Sequence, residues 1–186
     1  SSEVLAQEMP RLLSRVSWPK SMRWGSGDTR WVRPLHSIVC IFDGKIVPFS
    51  FANINSGNTS YGHRFHAPKP LLVTNFENYF QKINMAKVIL DFDTRKNEII
   101  RQAALVAEAE GYSVRDDPSL IDEIGGLVEW PVALMGKFDE RFMALPHEVL
   151  VTTMRINQKY LSVEDSSGKL VPHFITIANL EAPDGG

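Results

Sequence analysis

The spacing of apolar residues along the first segment of the chain predicts an amphipathic helix. Between residues 3 and 16 the apolar side chains recur three and four positions apart, which places them on one side of a helix. Pro10 lies inside this segment and removes one helical hydrogen bond. We expect residues 1–19 to form a helix and a linker that follow a preceding domain.

Two β-rich runs further along the chain predict a hairpin. Residues 36–42 and 45–51 flank Asp43 and Gly44, and this dipeptide favours a type I′ turn because both of its residues tolerate a positive φ. Residues 53–70, by contrast, are turn-rich and polar, and we expect them to form a long irregular loop unless something else orders them. Loops of this length within a small protein often carry function.

The remaining periodicity predicts helices and strands in no regular βαβ order. The predicted helices span residues 76–85, 94–110, 117–126 and 145–157. The predicted strands span residues 87–92, 127–138, 159–163 and 170–178, and the last two form a second hairpin. These patterns favour an α+β fold with mixed or antiparallel sheets, hairpins and packed helices.

The cysteine count and the hydropathy pattern limit where the protein works. Cys40 is the only cysteine, so the chain cannot form an internal disulfide, which fits a reducing compartment. It lies in the apolar run SIVCIF, and we expect it to be a buried small hydrophobe rather than a nucleophile. No apolar run reaches the length of about 18 residues that crosses a bilayer. We therefore expect a cytoplasmic protein that does not contact a membrane.

Charge is distributed unevenly along the chain, although the net charge is only −2. Residues 1–70 hold nine Lys and Arg against four Asp and Glu, whereas residues 71–150 hold eight basic against fourteen acidic residues. The first part of the chain therefore has a basic surplus that can meet phosphate. The alternative is that these charges are simply solvated.

Motifs for self-sufficient catalysis are missing from the sequence. It contains neither a GxxxxGK[ST] phosphate loop nor a GxGxxG fingerprint. His63 and His66 are spaced like two metal ligands, but Arg64 between them repels a cation and the sequence suggests no third ligand. The other three histidines lie in predicted helices or strands, and nothing ties them to a serine nucleophile. We expect neither a catalytic residue nor a metal site in this chain.

Three segments combine cations with aromatic or polar residues in a way that suits nucleic acid. Residues 20–34 interleave four cations with two tryptophans, residues 56–65 add a glycine-hinged loop with a cation and two aromatic residues, and residues 152–160 place polar side chains at a helix end. Such side chains contact phosphates and stack on unpaired bases. The candidate contact residues are Lys20, Arg23, Trp24, Arg30, Arg33, His63, Arg64, Arg155, Gln158 and Lys159.

A purely structural role is the alternative for the same segments. In that case Trp24, Trp31, Phe65 and Tyr160 pack in the core, and the arginines brace loops through carboxylates or carbonyl groups. The two roles differ in whether the side chains reach solvent and in whether their charges are already neutralised.

These segments resemble the β subunit of the bacterial heterotetrameric glycyl-tRNA synthetase. The matching strings follow the family's order: KSMRWG at 20–25, VRP at 32–34, SG at 56–57, GHRF at 62–65, GLVEWPVAL at 126–134 and TTM at 152–154, with Gln158 and Tyr160 after them. Two places depart from the family. Ser60-Tyr61 replaces a threonine and a basic residue, so no phosphate contact is expected at position 61, and Lys159-Tyr160-Leu161 replaces Arg-Tyr-Phe.

The resemblance implies a role in charging tRNA. In this family the α subunit carries the class II catalytic centre and binds ATP with magnesium, while the β subunit binds tRNA in an α2β2 assembly. We expect glycine tRNA and the α subunit as partners, and no cofactor in this segment. Residues 20–180 would form a tRNA-handling domain similar to the editing-type domain of phenylalanyl-tRNA synthetase β, and residues 181–186 a flexible tail.

Two rival functions remain open on the sequence. The first is hydrolytic editing of mischarged tRNA, for which polar groups such as Thr59, His63 or Thr153 would have to surround a positioned water. The second is an architectural role, in which the domain spaces its neighbours or contacts the α subunit without touching RNA.

Overall fold

A computed structural model describes residues 1–181 and divides the chain into two units, a first unit of residues 1–86 and a second unit that begins at Lys87. Apart from Glu181, the predicted tail lies outside the described residues. The prediction of one tRNA-handling domain over residues 20–180 stays a prediction. No helix within the described residues is long and apolar enough to cross a membrane.

The first unit, which is described throughout, contains two helices and seven short strands. Its helices are α1 (Ser2–Arg15) and α2 (Phe76–Met85). Its strands are β1 (Ile38–Val39), β2 (Ile41–Phe42), β3 (Lys45–Ile46), β4 (Ser50–Phe51), β5 (Ile54–Gly57), β6 (Thr59–Tyr61) and β7 (Pro70–Leu72). Antiparallel pairs form between β2 and β3, β4 and β5, and β6 and β7, and β1 joins β5 in parallel.

The predicted first hairpin is confirmed at its turn, but its strands are shorter than predicted. Asp43 and Gly44 have φ values of 50° and 71°, as a type I′ turn requires. Beyond β3 one further bond, from Val47 N to Cys40 O at 3.0 Å, continues the pairing. The chain then bonds to another segment: Ser56 N donates to Phe49 O at 2.8 Å, and Phe49 N donates to Ser56 Oγ at 2.9 Å. The backbone groups of Phe49 that would have lengthened the hairpin are therefore used elsewhere.

Residues 53–70, predicted to be irregular unless something orders them, are ordered by strand pairing in their first half, which contains β5 and β6. Strand β5 pairs with β1, where Ile38 faces Ser56, and β6 pairs with β7, where Ser60 faces Leu71. Asn, Ser and Gly in these strands have little strand propensity of their own. The strands form because partners elsewhere in the chain, β1 and β4 for β5 and β7 for β6, supply the hydrogen bonds.

The second unit contains three α-helices and a four-stranded antiparallel sheet within its described residues. The helices are α3 (Phe92–Ala109), α4 (Pro118–Gly125) and α5 (His147–Thr153), with a 3₁₀ turn at Glu140–Ala144 and a π turn at Met154–Gln158. The strands are β8 (Ser113–Val114), β9 (Val132–Lys137), β10 (Leu161–Glu164) and β11 (Leu170–Ala178), in the spatial order β8, β10, β11, β9. The predicted α+β class and the hairpin of β10 and β11 are confirmed.

Helix α3 packs its apolar side against this sheet and forms the core of the second unit. Ile99, Ala103 and Ala107 on the helix are almost fully buried and lie in one cluster with Leu161 and Ile175 of the sheet. Removal of this apolar surface from water is the main source of stability at such a contact. The helices and the sheet of the second unit are therefore packed around one core, which includes residues of α4.

Residues 87–91 form a loop, although residues 87–92 were predicted to be a strand. The guanidinium group of Arg95 donates to the carbonyl groups of Ile89 and Leu90. These carbonyl groups are satisfied by a side chain from α3 rather than by a neighbouring strand. The apolar run that suggested a strand therefore packs as a loop.

Two helices differ from the prediction at their ends. Helix α3 begins at Phe92, two residues before the predicted start, and is capped by Asp91, since Thr94 N donates to Asp91 Oδ1 at 2.7 Å. The helix predicted over residues 145–157 is shorter, because α5 passes into the π turn, after which Lys159 takes a φ of 58°.

Candidate nucleic-acid interface

A main-chain pair closes the loop that holds Arg23, Trp24 and Arg30. Met22 N donates to Trp31 O at 2.8 Å, and Trp31 N donates to Met22 O at 3.1 Å. This pair brings three of the candidate contact residues into one loop, with Lys20 before it and Arg33 after it.

Trp31 packs this loop against other aromatic residues of the first unit. Its ring meets Trp18 edge-on at a centroid distance of 5.1 Å and Phe51 edge-on at 5.4 Å. Trp31 is therefore part of the packing, as the structural alternative expected. Trp24 is half-buried and forms no ring contact with another aromatic residue in the described part of the chain.

The candidate cations of the first unit are exposed, and most have no carboxylate partner among the described residues. Lys20, Arg33 and Arg64 are exposed and have no carboxylate partner among residues 1–181. Arg23 lies 3.3 Å from Asp28, but the Asp28 side chain is fully exposed, and such surface pairs contribute little and exchange readily. Their charge is therefore available to an anion.

Arg30 is also exposed, and it has only a weak neutral partner. Its Nε donates to Ser21 Oγ at 3.3 Å. Ser21 lies on the opposite side of the Met22–Trp31 pair, so this bond orients the guanidinium group without cancelling its charge.

His63 is buried and organises the turn that follows it. Its side chain is only 2% exposed, and its Nδ1 accepts from Phe65 N at 3.3 Å and from His66 N at 3.2 Å. Its main-chain N donates to Ala86 O at 2.8 Å. The structure therefore places His63 inside the unit and leaves Arg64 exposed beside it.

The candidate cations of the second unit are already paired with carboxylates. Arg155 Nε lies 2.7 Å from Asp117 Oδ2, and Lys159 Nζ lies 2.8 Å from Glu123 Oε1. Both carboxylates are at or in α4, so these cations attach the chain after α5 to that helix. Gln158 is exposed and lies at the rim of an apolar cavity of about 330 Å³.

Asp117 joins α4 to Arg155. One carboxylate oxygen accepts from Leu120 N and from Ser119 Oγ, each at 3.0 Å, and the other accepts from Arg155 Nε at 2.7 Å. Burial acts to raise the pKa of Asp117, but these hydrogen bonds and the guanidinium charge outweigh it and hold that pKa below its ordinary value.

Replacing Asp117 by alanine removes the helix cap and the partner of Arg155 together. We expect the free energy of unfolding to fall by about 1–3 kcal/mol, and by less for Asp117→Asn, which keeps a capping oxygen. Because the pKa is lowered on folding, this stabilisation is present above the unfolded-state pKa and is lost as pH falls through the folded-state value. Urea unfolding from neutral to acidic pH measures it. A deficit of Asp117→Ala that persists undiminished at the acid end contradicts this account.

Metal and thiol chemistry have no support among residues 1–181. No three His, Cys, Asp or Glu side chains converge there as metal ligands. Cys40 is partly buried, and its burial raises the pKa of the thiol, which disfavours the reactive thiolate.

Comparison with known proteins decides the family. A family model described as the glycyl-tRNA synthetase β subunit matches residues 1–185. The chain belongs to the glycyl-tRNA synthetase β-subunit family. The resemblance inferred from the motifs between residues 20 and 180 is thereby confirmed.

Three β subunits show how much of the family's length this chain covers. The glycine–tRNA ligase β subunit of Paracoccus denitrificans is 45% identical over 190 residues, which cover 100% of this chain and 28% of that protein. The β subunit of Rhodospirillum centenum is 47% identical over 195 residues, which cover 92% of this chain and 27% of that protein. The β subunit of Syntrophotalea carbinolica is 45% identical over 184 residues, which cover 99% of this chain and 27% of that protein. The chain therefore spans a little over a quarter of the β subunits that it matches.

Two exposed aromatic residues of this β-subunit segment were missed as candidates. Phe65 is 71% exposed and Tyr61 is 53% exposed. The alternative that placed Phe65 in the core is wrong, because its ring projects from the turn that His63 organises. The GHRF string places Phe65 directly after a cation, but its exposure is visible only in the folded chain.

Proposed function

We propose that the first unit binds tRNA as part of a glycine–tRNA ligase. The observation that carries this proposal is the contrast in charge between the two units. Lys20, Arg33 and Arg64 in the first unit are exposed and lack carboxylate partners among the described residues, whereas Arg155 and Lys159 in the second unit are neutralised. The relatives named as glycine–tRNA ligase β subunits support tRNA as the polyanion.

The chemistry of binding is phosphate neutralisation with release of counterions. Exposed guanidinium and ammonium groups contact backbone phosphates and supply salt-dependent affinity that does not read sequence. Arg23 joins them when phosphate replaces Asp28 as its partner, because a fully exposed carboxylate holds it only weakly. Selectivity for one tRNA then requires contacts with bases.

The segment works within a larger cytoplasmic assembly in this proposal. The α subunit supplies the class II catalytic centre and binds ATP with magnesium in an α2β2 enzyme, and this segment supplies tRNA contacts and no catalytic residue. The second unit serves as scaffold, since its candidate cations fix α4 rather than face a ligand.

The position of His63 supports binding over hydrolytic editing. Its Nδ1 already accepts two main-chain N–H groups and its side chain is buried, so that nitrogen is not placed to take a proton from a water. This assignment would be contradicted if the intact synthetase deacylated mischarged tRNA and the His63→Asn variant lost that activity.

The test uses Arg33→Gln and Arg64→Gln, made singly in the full β subunit with its α subunit. We expect each variant to weaken tRNA binding several-fold and to reduce the slope of log affinity against log salt by about one. Arg141→Gln is the matched control, because Arg141 is also exposed but lies in the second unit beside Asp139. Wild-type affinity in both test variants at low and moderate salt would remove the proposal.

A further inference from the structure

The turn at residues 63–66 presents an aromatic ring and a cation to solvent side by side. Phe65 is 71% exposed, and the preceding Arg64 is exposed without a carboxylate partner in the described part of the chain. A single exposed apolar side chain is common and needs no explanation. This one differs because the main chain at Phe65 is hydrogen-bonded to the buried His63 side chain.

Hydrogen bonds inside the turn hold the main chain that carries Phe65. His63 Nδ1 accepts from Phe65 N and His66 N, and His63 O accepts from Ala67 N at 2.8 Å. The turn is tied to the end of α2 by His63 N, which donates to Ala86 O. The buried His63 side chain thus uses its acceptor nitrogen to hold the main chain that carries the exposed Phe65 ring.

The hydrogen bonds also give the imidazole its role in the turn. His63 Nδ1 is the acceptor for two main-chain N–H groups, those of Phe65 and His66. Any replacement that lacks an acceptor at this place leaves two main-chain N–H groups unsatisfied. His63 is therefore a positioning residue for Arg64 and Phe65.

We propose that Phe65 stacks on an unpaired base of the bound tRNA while Arg64 holds a phosphate of the same strand. This inference rests on the proposed tRNA binding and adds a site that distinguishes unpaired from paired RNA. A ring beside a cation matches a nucleotide, which offers a flat base and a charged phosphate within one unit. Paired bases in a helix do not offer their faces to such a ring.

Base stacking by Phe65 is tested by measuring the affinity of the intact synthetase for two RNAs, a glycine tRNA and a fully paired RNA duplex. We expect Phe65→Leu to weaken tRNA binding about 5- to 100-fold, the effect of losing one base stack, and to leave duplex binding unchanged. Phe65→Trp should retain tRNA binding, whereas Arg64→Gln should weaken both RNAs. Phe76→Leu, which alters a 67% exposed phenylalanine on α2, is the matched control and should change neither affinity.

Positioning by His63 is tested in the same assay. His63→Leu should reproduce the tRNA defect of Phe65→Leu, and combining the two should add little. His63→Asn, which keeps an acceptor near Nδ1, should restore part of the affinity. The positioning role would be overturned if His63→Leu lost affinity for tRNA and for the duplex equally and if His63→Asn restored none of it.

The outcomes separate this inference from the proposed function. Unchanged tRNA affinity in Phe65→Leu, together with weakened binding in Arg33→Gln and Arg64→Gln, overturns stacking and leaves phosphate binding standing. Wild-type affinity in all three variants overturns both. A Phe65→Leu synthetase that loses its α subunit instead shows that the ring contacts protein, which also overturns stacking.

Discussion

Replacing Gly62 by alanine is expected to destabilise the first unit by about 1–3 kcal/mol, the range for a side chain forced into a filled space. A Cβ at this position would lie 2.3 Å from Ala86 Cβ and 2.7 Å from Ala86 O. Ala86 O is the same atom that accepts from His63 N. Because the obstacle includes main chain, the added methyl group must push the turn at residues 63–66 away from the end of α2.

The measurement for Gly62→Ala is urea unfolding beside tRNA binding. Gly57→Ala is the matched control, since no atom lies within 4 Å of a Cβ added there. The expected Gly62→Ala protein unfolds at lower urea, and the synthetase that contains it loses the tRNA affinity assigned to Phe65. If Gly62→Ala unfolded at the same urea concentration as Gly57→Ala, the turn would not be held against Ala86.

Neutralising the unpaired cations together is expected to have the largest effect on function. The variant Lys20→Gln, Arg33→Gln, Arg64→Gln removes three charges that no described carboxylate balances. We expect tRNA affinity of the intact synthetase to fall about 10²- to 10³-fold at moderate salt, since bonds to charged groups contribute roughly 1.5 kcal/mol or more each. Folding should be unaffected, because these side chains are exposed.

The control for this variant removes the same number of charges from the second unit. Lys137, Arg141 and Lys169 are exposed, and Lys137 and Arg141 form ion pairs with neighbouring residues of the chain. Their replacement by glutamine changes net charge equally. An equal loss of affinity in this control would mean that binding depends on overall charge and not on the first unit.

The parts of the fold that sequence predicted correctly are those set by neighbouring residues. The turn at Asp43 and Gly44 depends on two backbone conformations, and α4 depends on a cap at Asp117 with Pro118 after it. Each of these two signals is contained in a few consecutive residues. The parallel pairing of β1 with β5 joins residues 18 apart and is not visible in any local window.

The candidate site could be predicted as a set of residues but not as an arrangement. Sequence placed Arg155 and Lys159 beside Arg33 and Arg64 as equivalent candidates. Arg155 finds its carboxylate 38 positions away, so only the folded chain shows that its charge is balanced. The burial of His63 is likewise a property of the packed first unit, and the GHRF string alone does not reveal which of its side chains faces solvent.

The salt dependence of tRNA affinity tests most directly whether the first unit meets tRNA through its unpaired cations. Affinities of the wild-type synthetase and of the Lys20, Arg33 and Arg64 triple variant are measured over a range of salt concentrations. Three lost phosphate contacts should make the slope of log affinity against log salt shallower by about two to three. Parallel lines for the two proteins would contradict the account, even if the affinities themselves differed.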